Sequence, residues 1–337
     1  MNKKIHCQYD EIVLLGGGKL LCKLSLWSKS LNIPIKIITS DRHYEESYNN
    51  LTLQEFLTKE KIEHIVPKDI SSKSVIEFIG KGKNTFFLSL GAAWIFKEDV
   101  IYNIFNKNLF NLHGTRLPQN RGGGGFSWQI LNSGRFGFCT LHMVDAGVDT
   151  GDIISSDEFL YPASCRIPSD YEKIYIEENF KFVTRFITRD SNKITTTKQS
   201  EYFSSYWPRL NTDINGWIDW SMNAIEVERF ICAFDSPYNG ARTLINSQKV
   251  RIKNVSITQQ DASFHSYQSG IVYRKGKCWL CVCLKNYTLI IEDIRNDKGE
   301  DVFSLIKVGD RMHTPIEKIE SSKQRVVYTP NGIKTFK

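Results

Sequence analysis

NLHGTRLPQNRGGGGFSWQILNSGRFGFCTLHMVDAGVDTGDII, residues 111–154, is the stretch on which the reading of this chain turns. It opens on Asn111 and His113, just after the apolar run Asn108-Leu109-Phe110, which reads as the end of a short strand. Leu117-Pro118 breaks the chain, glycines fill positions 122–125, and residues 139–144 read as another strand. Asp149-Thr150-Gly151-Asp152 closes the stretch. Groups able to hold a proton or an oxyanion therefore sit at strand ends and in loops. That is where an open α/β sheet presents its chemistry.

Upstream, strands alternate with helices. Residues 11–15 (EIVLL) run into Gly16-Gly17-Gly18-Lys19, and residues 20–31 follow at helical spacing. Residues 35–39 read as a strand, 51–61 as a helix that Thr52 caps, and 65–66 as a short strand. Residues 72–79 carry Val75, Ile76 and Ile79 on one helical face. Residues 85–90 (TFFLSL) read as a buried strand that leads into Gly91-Ala92-Ala93-Trp94-Ile95-Phe96, with a helix at 99–105. This alternation implies a parallel, doubly wound sheet. The glycines at 16–18 before a helix suit either a phosphate or a plain tight turn. They do not complete a dinucleotide fingerprint, because Leu21 replaces the third glycine, although Asp41 stands at a ribose-binding distance.

Downstream, Ser169 and Glu172 read as a capping box that starts a helix reaching residue 189. Residues 191–205, rich in Ser, Thr and Lys, read as a linker. Then come a turn and strand at 215–220, a helix at 224–233, and short strands at 240–245, 249–255, 270–274, 278–284 and 288–294. Such spacing suggests a small barrel or twisted sheet. A length of 337 residues favours two domains. The expected division is a catalytic domain at 1–190, a linker at 191–210 and a smaller, mainly β domain at 211–330.

The net charge of +7 suits an anionic ligand without requiring one, and no basic block of a nucleic-acid tail is present. No apolar run approaches the ~20 residues of a membrane span. Residues 1–10 are polar and the cysteines are scattered, so a reduced, cytoplasmic protein is expected. Cys278, Cys281 and Cys283 lack a fourth ligand nearer than His265, and no metal site is expected.

Taken singly, His113 reads as a core histidine satisfied by backbone, and Asp149 and Asp152 read as turn formers. An aspartic-protease reading of Asp149-Thr150-Gly151 lacks a second copy of the motif, and zinc on His113 and His142 lacks helical ligand spacing. Together, Asn111, His113 and Asp149 fit acyl transfer to an amine. The imidazole and the amide would stabilise an oxyanion, and the carboxylate would orient the imidazole or take the amine's proton.

These residues resemble the formyltransferase family that uses N10-formyltetrahydrofolate. The resemblance rests on Asn111-x-His113, Leu117-Pro118, the glycines after Arg121, and Asp149-Thr150-Gly151-Asp152. It continues through Trp207-Pro208-Arg209 and Gly216-Trp217-Ile218-Asp219-Trp220, which look like the start of that family's OB-like C-terminal domain. The resemblance implies that Asn111, His113 and Asp149 are catalytic. It implies that the folate co-substrate lies along Ser89, Gly91, Trp94, Ile95 and Phe96 and along Val144, Asp145, Ala146 and Gly147. It implies that Gly17, Gly18, Lys19, Arg116 and Arg121 meet the substrate's phosphates. The tRNA-directed members carry Ser-Leu-Leu-Pro after the histidine and a basic loop near residue 41. Here the residues are Thr115-Arg116-Leu117-Pro118 and DRHYEESYN at 41–49. The expected acceptor is therefore a nucleotide-linked amino sugar, a dTDP-amino-dideoxyhexose first, with initiator tRNA as the alternative. Trp128 is a candidate to stack on the nucleotide base, with a core residue of the following helix the favoured reading. Trp207, Trp217 and Trp220 are expected to be packing residues of the domain junction. A homodimer is expected by the same resemblance.

Overall fold

The computed structural model describes residues 7–334, except Asn49, Lys83, Gly124, residues 190–193, Ala262, Pro330 and Asn331. Gly124 of the glycine run, the first residues of the 191–205 segment and the start of the polar N-terminus therefore lie outside the described residues.

The N-terminal half follows the alternation in the sequence. It runs β1 (Glu11–Gly16), α1 (Gly18–Ser30), β2 (Ile35–Ile38), α2 (Leu53–Lys59), β3 (Glu63–Ile65), α3 (Lys73–Ile79), β4 (Thr85–Leu90), α4 (Glu98–Asn103) and β5 (Leu109–His113). After it come α5 (Gly125–Leu131), β6 (Phe136–Met143), β7 (Ile153–Leu160) and α6 (Pro168–Ile187). The sheet order is β7-β6-β5-β4-β1-β2-β3. Strands β3, β2, β1, β4 and β5 are parallel, while β6 and β7 are added antiparallel. Every residue of β1 and of β4 is buried. Covered on both faces, such strands carry continuous apolar runs rather than alternation. On one face Leu14, Phe86 and Phe110 meet Leu21 and Leu24 of α1, Phe56 of α2 and Phe186 of α6. On the other, Val13 and Phe87 meet Val75 of α3 and Val100 of α4. Phe86 and Phe110 lie ring to ring at 5.2 Å. Truncating either to Ala would cost about 3–5 kcal/mol.

Local chemistry sets the ends. Thr52 caps α2 in a capping box with Glu55, as its spacing suggests. At α6 the expectation needs correcting. The helix starts at Pro168, and Asp170 rather than Glu172 turns back to accept the N–H groups of Arg166 and Ile167. Proline at the first helical position removes an N–H that would have had no partner, so it outweighs the Ser169 cap. Glu172 instead pairs with Lys19.

The C-terminal half holds α7 (Ala224–Ala233) against a curled antiparallel sheet. Its strands are β8 (Ala241–Ile245), β9 (Gln248–Thr258), β10 (Val272–Lys275), β11 (Leu280–Leu284), β12 (Tyr287–Asn296) and β13 (Met312–His313), in the order β10-β11-β12-β9-β8-β13. Cys281 and Cys283 are buried within β11, and Cys278 is exposed before it. Instead of a strand at 215–220, a short helix Thr212–Asn215 is followed by a single bridge from Trp217 to Arg242. The two halves share one apolar cluster. Ile130, Tyr161 and Tyr171 pack with Val227, Ile231 and Phe234.

The segment read as a linker is partly ordered against the first half. Thr197 bridges to Ile153, and Tyr206 and Trp207 pair in parallel with Arg121 and Gly122. No helix among the described residues is long and apolar enough to cross a membrane.

Candidate active site

Three adjacent strands present the site. Asn111 on β5 lies beside Ser89 on β4 and His142 on β6. The next residue of the same face on β5 is His113, and the turn after β6 carries Asp149. That turn is held tightly. Asp149 takes a left-handed φ of 54°, a cost that the surroundings must offset. Gln199 Nε2 does so by donating to the carbonyls of Asp149 at 2.9 Å and Gly151 at 2.7 Å. Gly151 is required by space, since a Cβ there would lie 1.9 Å from the Met143 carbonyl.

Asp149 is the hub. Its Oδ1 accepts from Asn111 Nδ2 at 3.2 Å and its Oδ2 from the Gly122 N–H at 2.8 Å. Gly122 has φ 91° and is crossed so closely by Tyr206 and Trp207 that no side chain fits. His113 Nδ1 stands 3.6 Å from Asp149 Oδ2, and His142 Nε2 stands 3.5 Å from Oδ1. Burial alone would push this carboxyl up. The His142 contact and the charge of the two imidazoles when they are protonated, with the Gly122 N–H, outweigh it and hold it at about 2. Asp149 is a fixed anion.

The neighbours assign the ring protons. His113 Nε2 lies 2.7 Å from the Asn120 carbonyl, which can only accept, so Nε2 carries the hydrogen. Thr115 Oγ1 lies 2.7 Å from the same nitrogen and donates to the same carbonyl. Neutral His113 therefore turns the lone pair of Nδ1 toward Asp149. Burial holds the imidazole below its ordinary range, against the pull of Asp149. In the same way His142 Nδ1 donates to the Met143 carbonyl at 2.7 Å, and its Nε2 accepts from Asn111 Nδ2 at 3.0 Å. The arrangement can take a proton on His113 Nδ1 and stabilise the resulting imidazolium with Asp149. Both amide hydrogens of Asn111 are held here, one by His142 and one by Asp149. The longer bond, to Asp149, is the one it can release to an oxygen that gains charge.

Two cavities meet at this set. One, of about 380 Å³, is bordered by Ser89, Gly91, Trp94, Ile95, Phe96, Val144, Asp145 and Gly147. Ala146 is exposed on the same turn and does not border it. The other, of about 600 Å³, lies at the junction of the halves, between Phe126, Tyr175, Tyr238 and Tyr328. His113, Gly122 and Gly123 border both.

The basic residues are placed unevenly. Arg121 is buried, its guanidinium forked on Glu201 and its Nε bonded to Gln199. Arg116 is exposed on the turn after β5. Neither borders either cavity. Gly17 packs against His43 and Glu46, and Lys19 is tied to Glu172. Trp128 bonds the Pro208 carbonyl and lies 4.9 Å from the ring of Trp207 at the junction. Trp217 and Trp220 are buried, and Trp220 donates to Thr243 Oγ1.

Sequence reasoning missed His142 as a partner of Asn111, weighing it only as a metal ligand. The alternation along residues 139–144 could have found it, since it puts Thr140 and His142 on one face. Gln199 had no such signal, being one amide in a polar stretch.

The family described as formyl transferase, C-terminal domain, matches residues 212–302. The bifunctional polymyxin resistance protein ArnA of Wigglesworthia glossinidia brevipalpis is 28% identical over 98% of this chain, and the chain spans 49% of that protein's length. A methionyl-tRNA formyltransferase of Acetivibrio thermocellus is 23% identical over 73% of this chain and 78% of its own. Among solved structures, an N-formyltransferase from Helicobacter canadensis in complex with folinic acid and dTDP-3-aminofucose is 20% identical. It has a TM-score of 0.62, covering 85% of this chain and 99% of that one. The C-terminal half thus matches a formyl transferase domain, the whole chain is similar in sequence to formyltransferases, and its fold is like that of a solved N-formyltransferase.

Proposed function

We propose that this enzyme moves a formyl group from N10-formyltetrahydrofolate to the amine of a nucleotide-linked amino sugar, for O-antigen or related glycan synthesis. The observation that carries the reading is the meeting of two cavities at His113. The smaller suits a flat, polar-edged ring system. Its wall includes Ile95 and Val148, which stand 75% and 44% exposed, and Trp94 Nε1, buried with no acceptor among the described residues. Bound folate would supply the formyl group as an activated amide. The larger cavity, with its aromatic walls, suits a base and a sugar. The Helicobacter canadensis enzyme bound to dTDP-3-aminofucose supports the choice of acceptor.

In this reading the amine enters from the junction. Asn111 turns the N–H it gives Asp149 to the formyl oxygen as charge builds there. His113 Nδ1 takes the amine's proton as the amine nitrogen bonds to the formyl carbon, and Asp149, 3.6 Å away, stabilises the cation. The imidazolium returns the proton to N10 as the N10–carbon bond breaks and tetrahydrofolate leaves. The low, ionised state of Asp149 makes it a fixed charge rather than the final base. Thr115 and the Asn120 carbonyl keep the ring from turning. No covalent intermediate is needed, since the incoming amine is the nucleophile.

Initiator-tRNA formylation is the second reading, favoured by the likeness to the methionyl-tRNA formyltransferase. Incubating the enzyme with labelled formyl donor and either dTDP-amino sugars or charged initiator tRNA separates the two. Formylated sugar with unmodified tRNA is expected, and the opposite pattern would reverse the assignment.

A further inference from the structure

The loop after β2, which the sequence marks only as acidic and rich in tyrosine, brings Arg42 to the wall of the smaller cavity. His43, beside it, is 4% exposed. Arg42 Nη2 lies 2.9 Å from His43 Nε2, and Ser40 Oγ lies 3.1 Å from His43 Nδ1. A guanidinium only donates, so Nε2 accepts and Nδ1–H donates to Ser40. Burial first, and then the charge of Arg42, pushes the imidazole down to about 4. His43 is thus a neutral, fixed acceptor that aims Arg42. The Nε of Arg42 is buried and has no acceptor among the described residues.

The same cavity is bordered by Arg209, whose guanidinium lies over the ring of Tyr328 at 4.5 Å. Arg209 has no carboxylate partner among the described residues, and it borders both cavities. The two guanidiniums feel each other. Burial and then Arg209 lower the pKa of Arg42. The acid nearest to hand is Glu46, 3.8 Å from His43. Burial raises its carboxyl while the charges of Arg42 and Arg209 pull it down, so a diphosphate would share the pair with it. Other cations nearby already have partners, Lys19 in Glu172 and Arg121 in Glu201. Two like charges held together at a cavity wall are stable when an anion completes them, and a guanidinium fork matches phosphate oxygens in pairs.

We propose that Arg42, aimed by His43, and Arg209 form a clamp for the diphosphate of the acceptor, and that this clamp selects a nucleoside-diphosphate-linked amine. The proposal rests on the amino-sugar reading above and deepens it. A diphosphate offers two charges to two guanidiniums, and Arg209 reaches into the junction cavity where the acceptor would lie. The carboxylates of a folate tail offer related chemistry, and the experiment separates the two sources.

Calorimetry on the full chain with inorganic pyrophosphate and, separately, with 5-formyltetrahydrofolate gives the test. Pyrophosphate should bind the wild type, more weakly as salt rises. Arg42→Ala and Arg209→Ala should each weaken it about tenfold to a hundredfold, and folate binding by clearly less, although both border the smaller cavity. His43→Ala should weaken it less, and His43→Gln, whose amide oxygen can accept from Arg42, should restore it. Should Arg42→Ala fail to fold, Arg42→Lys keeps the charge, loses the fork, and is expected to lie between. Equal pyrophosphate affinity in the arginine variants and the wild type would overturn the clamp. So would loss of folate binding in place of pyrophosphate binding. If the wild type formylates no nucleotide sugar while pyrophosphate binding still depends on both arginines, the acceptor reading fails and the clamp stands.

Discussion

In the proposed mechanism Asp149 joins stability to catalysis. Its folded pKa of about 2 lies below the ordinary 3.8, so the folded state prefers the ionised form. That preference stabilises the fold above the unfolded value and is lost as pH falls through the folded value. The gap corresponds to about 2 kcal/mol. Acid denaturation monitored by fluorescence should therefore show that the wild type loses about 2 kcal/mol more than Asp149→Asn between pH ~4 and ~2. Equal pH dependence in the two would place the stabilising charge elsewhere. Turnover of Asp149→Asn should fall by about two to four orders of magnitude. His113 gives a second prediction. Burial lowers its pKa below 6.5, and catalysis needs the lone pair on Nδ1. The acid limb of kcat/KM should fall below pH 6.5, and a limb clearly above it would mean that the charged ring is the active form. At this scale the sequence singled out Asn111, His113 and Asp149 by identity and order, and the structure brings the three together. The sequence was silent where a residue matters through its neighbours. Nothing in the order of residues says that Arg121 is spent on Glu201 while Arg42 faces a cavity.

At the scale of elements, the strands read from apolar runs appear within a few residues of their observed places, because burial on both faces leaves an uninterrupted signal. The Ser- and Thr-rich segment was less legible. It carries no periodicity, yet its residues 197–207 act as a strap across the catalytic turn. Gln199 is the centre of that strap, bonding Arg121 on one side and two carbonyls of the Asp149 turn on the other. Gln199→Ala would leave buried polar groups unpaired, at about 1–3 kcal/mol for each. The variant should melt several degrees lower. It should also lose roughly tenfold or more in kcat, because the carboxylate it holds would drift by fractions of an ångström. Folate and acceptor binding should change much less. A variant with normal kcat would reduce the strap to a packing element.

For the whole molecule, the decisive feature is that the larger cavity beside His113 lies where the two halves join. The sequence indicated two domains from its length and from the change in pattern after residue 205. It could not show that they share a core. Ile130, Tyr161 and Tyr171 from the first half sit in the same cluster as Val227, Ile231 and Phe234 from the second. Tyr161 and Tyr171 stack at 4.4 Å, and Ser127 of α5 bonds the Ala233 carbonyl at the end of α7. Separating the halves would expose these rings to water, at about 1.5–3 kcal/mol for each large side chain. The halves should therefore unfold in one calorimetric transition, with the calorimetric and van't Hoff enthalpies in agreement. Ile231→Ala should lower that single transition by removing about 2–5 kcal/mol from the shared cluster. It should loosen the junction cavity as well, raising KM for the acceptor while leaving folate affinity near its wild-type value. Two resolved transitions, with only the second moved by Ile231→Ala, would mean that the halves fold independently. The acceptor cavity would then be a cleft between separate bodies rather than part of one packed structure.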